Sequence, residues 1–341
     1  MRWPRAVAGN AARVWLLRQR LYYIYVVSQA GAAGAASGTM VDYANWMGEA
    51  DGSAYVSQLS LPGTHNSAAC HMALPSVRCQ DCSVSEQLEN GVRFLDVRIG
   101  KPLLGGKDRE GQLKELHVVH GKFPVRIPFP VKFDSTLEEV FRFLDEHPTE
   151  CVVLSLKQEG ADSWDHDHDE FANFVWDHYI APHADRWYLR NAVPRLDDVR
   201  GKAVLFRRFG LVDDARRDGF GIEANWWSYN TTSEDRGAFH VQDFCEVNQT
   251  DDITRKADYV KQLLDTAHSF NATNPDTGKM FVNFCSASNF RNPDCWPERI
   301  AEKMAECRIY DSVQKGAGVV IIDYAGMNDW RHTRAIVDSN F

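Results

Sequence analysis

Residues 59–67 read Leu59-Ser60-Leu61-Pro62-Gly63-Thr64-His65-Asn66-Ser67. The apolar run over 55–61 has strand composition, and Pro62-Gly63 reads as the turn that ends it. The first polar side chains beyond that turn are Thr64, His65 and Asn66. In a parallel sheet they stand at the C-terminal edge, where α/β folds gather their chemistry. A histidine delivered there is a candidate general base; the alternative is a buried structural imidazole.

Working outward, seven further runs have strand character: 93–99, 116–120, 151–156, 203–208, 240–244, 280–285 and 318–324. Most are near-continuous apolar stretches, as expected of strands covered on both faces. Helical patterns lie between several of them. Ser135 reads as the cap of a helix over 136–146, with Leu137, Val140, Phe141 and Leu144 on one face and His147-Pro148 as the stop. Residues 252–268 and 297–307 repeat the pattern. Eight strands alternating with helices predict an α/β fold, an irregular TIM-type (β/α)8 barrel in a single domain over 41–341. The irregularity is expected between 99 and 116, which is a polar, Gly-rich loop. A doubly wound open sheet is the alternative.

Composition narrows the function classes. The 341-residue chain is 44% hydrophobic and 25% charged, enough for a large core. Its net charge of −9 argues against nucleic acid as a partner and against bulk-charge adhesion to anionic membranes. An anionic ligand must be met by a local basic pocket. Residues 1–40 are Arg-rich, without an acid before Asp42, and include an apolar run over 21–27 followed by small residues. They read as an N-terminal extension, a targeting segment or a disordered leader, and the apolar run is too short to span a bilayer. The compartment stays open between secreted and cytoplasmic or peripheral membrane.

Eight cysteines leave the redox reading open as well. Cys79-Gln80-Asp81-Cys82, with Cys70 and His71 upstream, has zinc-ligand types but no second well-spaced pair, so no metal is assigned. A disulfide within 70–82 fits a secreted protein, and free thiols fit an intracellular one. Cys151, Cys245 and Cys285 read as core. Asn230, Asn248 and Asn271 head glycosylation sequons that matter only in a secretory setting.

Several strand-like runs end at a residue capable of chemistry. They supply His65, Asp96 with Arg98, His120, Lys157, Arg207 with Arg208, Asp243 and Asp323. Positions two apart on a strand share a face, so Asp96 and Arg98 can both point into a barrel mouth. Strand interiors exclude charge unless it is paired, and a ring of closing salt bridges is the bland reading. The sharper one is phosphoryl transfer, with one histidine as base and the other as acid. Arg98, with Lys157 or Arg208, balances phosphoryl charge, and Asp323 fixes the tautomer of the base.

The ordered segments LSLPGTHNS (59–67), GVRFLDVR (91–98), VVHG (118–121), VLSLKQE (153–159), GKAVLFRRFG (201–210), VQDF (241–244) and VIIDY (320–324) together resemble the phosphatidylinositol-specific phospholipase C family, in its bacterial-type single-domain branch. The resemblance implies an irregular TIM barrel that cleaves inositol phospholipids to diacylglycerol and inositol 1,2-cyclic phosphate. His65 then resembles the base on the inositol 2-hydroxyl, Asp323 its orienting carboxylate, and His120 the acid on the diacylglycerol oxygen. Arg98 and Lys157 stand where the calcium-dependent branch has metal-binding carboxylates. Two cations there repel calcium, which implies a metal-independent enzyme without cofactors. Arg208 and Asp243 resemble residues that bind inositol hydroxyls. The implied partner is a phosphatidylinositol-type lipid at a membrane surface, met by a monomer.

Two positions depart from the pattern. Asn66 replaces an Asp that partners the acid, and Cys245 falls where an aromatic ring packs on inositol. Trp226 or Trp227 is the candidate replacement wall, against a reading as ordinary packing. His71, His117 and the cluster His166–His168 read as solvated or structural. Two rivals remain. One is a metal-dependent barrel phosphodiesterase of the glycerophosphodiester or sphingomyelinase D kind, for which Asp96 is the one acid well placed. The other is an inactive barrel that binds lipid head groups.

Overall fold

The first strand, β1 (Ser60–Thr64), runs straight through Pro62-Gly63 instead of ending there. Residues before it form a short turn, Val56–Gln58, so the strand starts later than its apolar run suggests. Pro62 cannot donate, but its carbonyl accepts from the Arg93 amide at 2.9 Å. Gly63 faces the barrel axis, where a Cβ would stand 3.0 Å from Ile321 Cγ1 and 3.3 Å from Phe94 Cβ. The dipeptide serves close packing rather than a turn.

The computed structural model describes residues 41–341 apart from 71, 104, 161 and 162. The N-terminal extension over 1–40 and His71 therefore lie outside the described residues. After β1 come α1 (Val84–Glu89), β2 (Phe94–Gly100), β3 (His117–His120), β4 (Phe123–Pro124) and α2 (Phe133–Glu146). Next are β5 (Val152–Gln158), α3 (Glu170–Val175), β6 (Trp187–Tyr188), β7 (Ala203–Arg208), β8 (Ile222–Glu223) and β9 (Glu234–Asp235). The last third holds β10 (Phe239–Gln242), α4 (Thr250–Thr273), β11 (Met280–Phe284), α5 (Pro297–Glu306), β12 (Gly318–Ile322) and α6 (Arg331–Asp338). Helix α2 starts at Phe133, not at 136, because buried Phe133 extends its apolar face and Ser135 lies inside the first turn.

The wall of the barrel is parallel, in the order β7-β5-β2-β1-β12-β11-β10. Short β6 and β8 add to β7, and β9 adds antiparallel to β10. Run 116–120 is not a stave of this wall. It forms β3, which pairs antiparallel with the end of β2 and folds into a hairpin with β4. Among the described strands no ladder joins β8 to β9. Inside the bore the rings of β7, β10 and β2 meet: Phe206 lies 5.8 Å from Phe239 and 5.8 Å from Phe94, between centroids.

Period-two alternation sorts each strand. Outward Leu95, Val97, Leu154, Leu156 and Leu205 pack against α2 through Leu137, Val140 and Leu144. Outward Val320 and Ile322 meet Ile253, Val260 and Leu264 of α4 and Ile300 of α5. Inward, the register aligns Phe94 with Val153 and Val204, then Asp96 with Ser155 and Phe206, then Arg98 with Lys157 and Arg208. An apolar floor thus passes into a charged mouth within four residues of β2, β5 and β7. Arg207 falls on the outer face, where its guanidinium donates to the carbonyls of Phe209 and Phe220.

Cys79 and Cys82 are both free thiols, so the disulfide entertained within 70–82 is not formed. Cys151 and Cys285 are buried, whereas Cys245 is half-buried in the segment after β10 and is not a core residue.

Candidate active site

His65 leaves the end of β1 with its backbone amide bonded to Ile322 O of the neighbouring β12. That places its ring beside Asp323, one residue beyond β12, and His65 Nδ1 meets Asp323 Oδ1 at 2.9 Å. With the proton on Nδ1, Nε2 carries the free lone pair. Gln80 locks both strand ends, donating to His65 O and Ile322 O at 2.9 and 3.0 Å. Asn66, in the left-handed region at φ 43°, sets its amide nitrogen 3.4 Å from His65 Nε2.

His120 arrives from the β3–β4 hairpin rather than from the wall. Its ring stands edge-on to that of His65, centroids 5.9 Å apart and planes at 88°. Val77 O accepts at 3.1 Å from His120 Nδ1, which leaves Nε2 as its working nitrogen. His65 is buried but 6% exposed, so it opens to the mouth rather than lying sealed under aliphatic packing.

The cations form one interlocked group. Arg98 Nε donates to Asp96 Oδ2 at 3.2 Å, and Arg98 also bonds Glu159 Oε1 at 3.3 Å. Lys157 reaches the same Glu159 oxygen at 2.9 Å, and Arg208 takes Asp96 Oδ1 at 2.8 Å. Glu159 Oε2 accepts from the Gly121 amide at 2.9 Å, which ties the cation group to the hairpin carrying His120. On the far side Arg208 lies over the Trp227 ring at 4.1 Å, and Trp227 Nε1 donates to Asp243 Oδ2 at 3.0 Å. Phe284 completes this wall, 6.4 Å from the His65 ring and 5.5 Å from the Arg208 guanidinium. From below, Lys256 Nζ holds Phe244 O at 2.6 Å, and burial brings its pKa down to about 8.

Electrostatics follow from this packing. Burial, then Arg98 and His120, hold His65 well below the usual imidazole range. Burial and Arg98 lower His120 too, though less far. Burial opposes ionisation of Glu159, but Arg98 and Lys157 overcome it and bring its pKa down to about 2. Burial likewise opposes charge on Arg98, and Glu159 with Asp96 more than restores it. The mouth therefore holds fixed cations and anions around two imidazoles that are neutral at pH 7.

The structure brings His65, Asn66, Arg98, His120, Lys157, Arg208, Trp227, Asp243 and Asp323 to one mouth. Trp226 is exposed, His117 is buried against Glu115, and the stretch His166–His168 is exposed. Sequence reasoning did not single out Glu159, although it lies two residues past Lys157, just beyond the end of β5, and that spacing is the signal that finds it. Cys79, which the sequence offers as a zinc-ligand type or a disulfide partner and not as a neighbour of the acid, has its sulfur 3.8 Å from His120 Nδ1. Nothing local in the sequence marks that contact.

The family model described as phosphatidylinositol-specific phospholipase C, X domain, matches residues 59–209. The chain is 25% identical over 303 residues to the 1-phosphatidylinositol phosphodiesterase of Staphylococcus aureus (strain Newman), covering 83% of this chain and 88% of that protein. Its fold matches the phosphatidylinositol-specific phospholipase C of Listeria monocytogenes with a TM-score of 0.63, at 22% identity over 88% of this chain and 100% of the other. A Staphylococcus aureus phospholipase C structure concerned with modulation of its membrane binding matches with a TM-score of 0.66, at 24% identity, covering 88% and 98% of the two chains.

Proposed function

The chain belongs to the phosphatidylinositol-specific phospholipase C family of phosphodiesterases, and from that premise we propose that its barrel mouth cleaves phosphatidylinositol or a related inositol glycolipid without a metal ion. The observation that carries this reading is the pair of imidazoles 5.9 Å apart, one oriented by a buried carboxylate, beside a guanidinium with donors to spare.

In this reading His65 Nε2 takes the proton of the inositol 2-hydroxyl, and the oxygen attacks phosphorus. Asp323 steadies the imidazolium that results. His120, in its doubly protonated working form, passes its Nε2 proton to the departing diacylglycerol oxygen, and the bond from phosphorus to that oxygen breaks. The products are diacylglycerol and inositol 1,2-cyclic phosphate. Arg98 and Lys157 meet the charge gathering on the phosphoryl oxygens, where preorganised donors outperform water. Arg208, Asp243 and the Trp227 wall take the inositol ring.

The metal-dependent rival is weaker on electrostatic grounds. Asp96, the acid it depends on, is already bonded to both Arg98 and Arg208. A magnesium ion placed there displaces two guanidinium partners.

Lipid access is supported by the rim. Phe123 pairs with His120 across the β3–β4 hairpin, and its exposed ring stacks on exposed Phe290 from the segment after β11. Ile127 and Phe129 extend this exposed apolar set, with Lys122 and Arg126 in the same segment. Apolar side chains flanked by cations suit the face of an anionic bilayer. Among the described residues no helix is long and apolar enough to cross a membrane.

The test is release of cyclic inositol phosphate from vesicles containing labelled phosphatidylinositol, with a strong chelator present. Turnover that survives the chelator and yields the cyclic ester supports the proposal. Dependence on added magnesium or calcium, or no cyclic product, overturns it.

A further inference from the structure

We propose that the same mouth carries an inhibitory site for a soft divalent cation of the zinc class, built from His65, Cys79 and Asp323. One donor atom from each of these three buried residues lies within 4.8 Å of the others. Ligands held about 2.0–2.3 Å from a tetrahedral zinc ion sit roughly 3.3–3.8 Å from one another, so small side-chain shifts close the set. Asp323 has the capacity to spare. Its Oδ1 holds His65, while its Oδ2 is buried with no hydrogen-bond partner. Cys79 is fixed in place by backbone: its carbonyl accepts from the Tyr324 amide at 2.8 Å, next door to Asp323. His120 Nδ1 is already committed to Val77 O, so a water completes the fourth position.

Donor chemistry selects the ion. Calcium and magnesium need mostly oxygen ligands, and this set offers one carboxylate among a sulfur and a nitrogen. Thiolate with imidazole selects zinc or another soft ion instead. Binding releases the Cys79 thiol proton to solvent as the metal–sulfur bond forms. Thiolate and carboxylate then offset the metal's two charges, which leaves the three-residue site neutral where the Asp323 carboxylate alone had made it negative. The cost falls on His65, whose nitrogen is committed to the metal and cannot accept a proton.

Inhibition rests on the function proposed above, whereas binding does not, and the experiment separates them. Titration of the metal-free protein with cobalt(II) is expected to produce a thiolate-to-cobalt charge-transfer band in the near ultraviolet, abolished in Cys79→Ala and retained in Cys82→Ala. Zinc is expected to inhibit phosphatidylinositol cleavage reversibly with chelator, while calcium and magnesium do not. Relative to its own zinc-free rate, Cys79→Ala is expected to need roughly ten- to a hundredfold more zinc for the same fractional inhibition. His65→Ala, which retains the thiol, weakens cobalt binding and provides the check if Cys79→Ala fails to fold. An unchanged cobalt band in Cys79→Ala, or equal zinc sensitivity of that variant and the parent, overturns the site. A band without any lipid cleavage overturns the enzymatic reading alone.

Discussion

Two arginines mark the two ends of β2, and they are used in opposite ways. Arg93, at the foot, is fully buried. It bonds Glu150 and donates to the carbonyls of Leu88, Val92, Tyr43 and Ala44, with its guanidinium against the Phe143 ring at 4.6 Å. All five of its donors are matched. Arg98, at the mouth, also sits between acids, but among the described residues its hydrogen bonds go to Asp96 and Glu159 alone. A saturated guanidinium is a fastener; one with idle donors in a neutralising cradle is preorganised for an incoming anion.

The largest effects that can break this contrast belong to the mouth. His65→Ala and His120→Ala should each cost about 10²- to 10⁴-fold in kcat with the melting temperature kept. Wild-type-like turnover in either variant removes the acid–base assignment. Next comes the direct exchange. Arg98→Met should lose about 10²- to 10³-fold in kcat without loss of stability. Arg93→Met should strand Glu150 and cost about 3–5 kcal/mol of stability, seen by denaturant unfolding, with normal turnover per folded molecule. If both arginines proved merely stabilising, the distinction between foot and mouth would collapse.

A pH profile sharpens the contrast further. The base works above its own pKa and the acid below its own. Burial and Arg98 lower both, and His65 lies deeper than His120. Between the two values the base is neutral while the acid is protonated, which is the working state. The maximum of kcat/KM should therefore fall on the acid side of the ordinary imidazole value of about 6.5. Arg98→Met should raise both limbs, and Arg93→Met should leave them in place. The smallest expected change is Asn66→Asp, which adds a carboxylate next to His65 Nε2 and should increase turnover. A decrease means the mouth is built around the amide.

Much of this was legible because strands have a strict period. Asp96 and Arg98, Lys157 with its register partner, and the polar residue following each apolar run all follow from alternation. Pro62-Gly63 misled because a turn and a tight axial contact select the same residue types. The hairpin carrying His120 was misread as a stave, since antiparallel and parallel pairing leave the same apolar signature in four residues. The roles of Glu159 and Cys79, as distinct from their positions, were out of reach for a different reason. Their meaning lies in partners on other elements, Arg98 on β2 for one and Asp323 beyond β12 for the other.

The seam between β8 and β9 has a consequence for girth. In a fully laddered barrel, strand count and shear dictate the diameter. Here one arc carries no ladder among the described strands, and on its inner side the rings of Phe206 and Phe239 meet. Trimming or enlarging a ring on that arc can resize the bore while every existing backbone pairing stays intact.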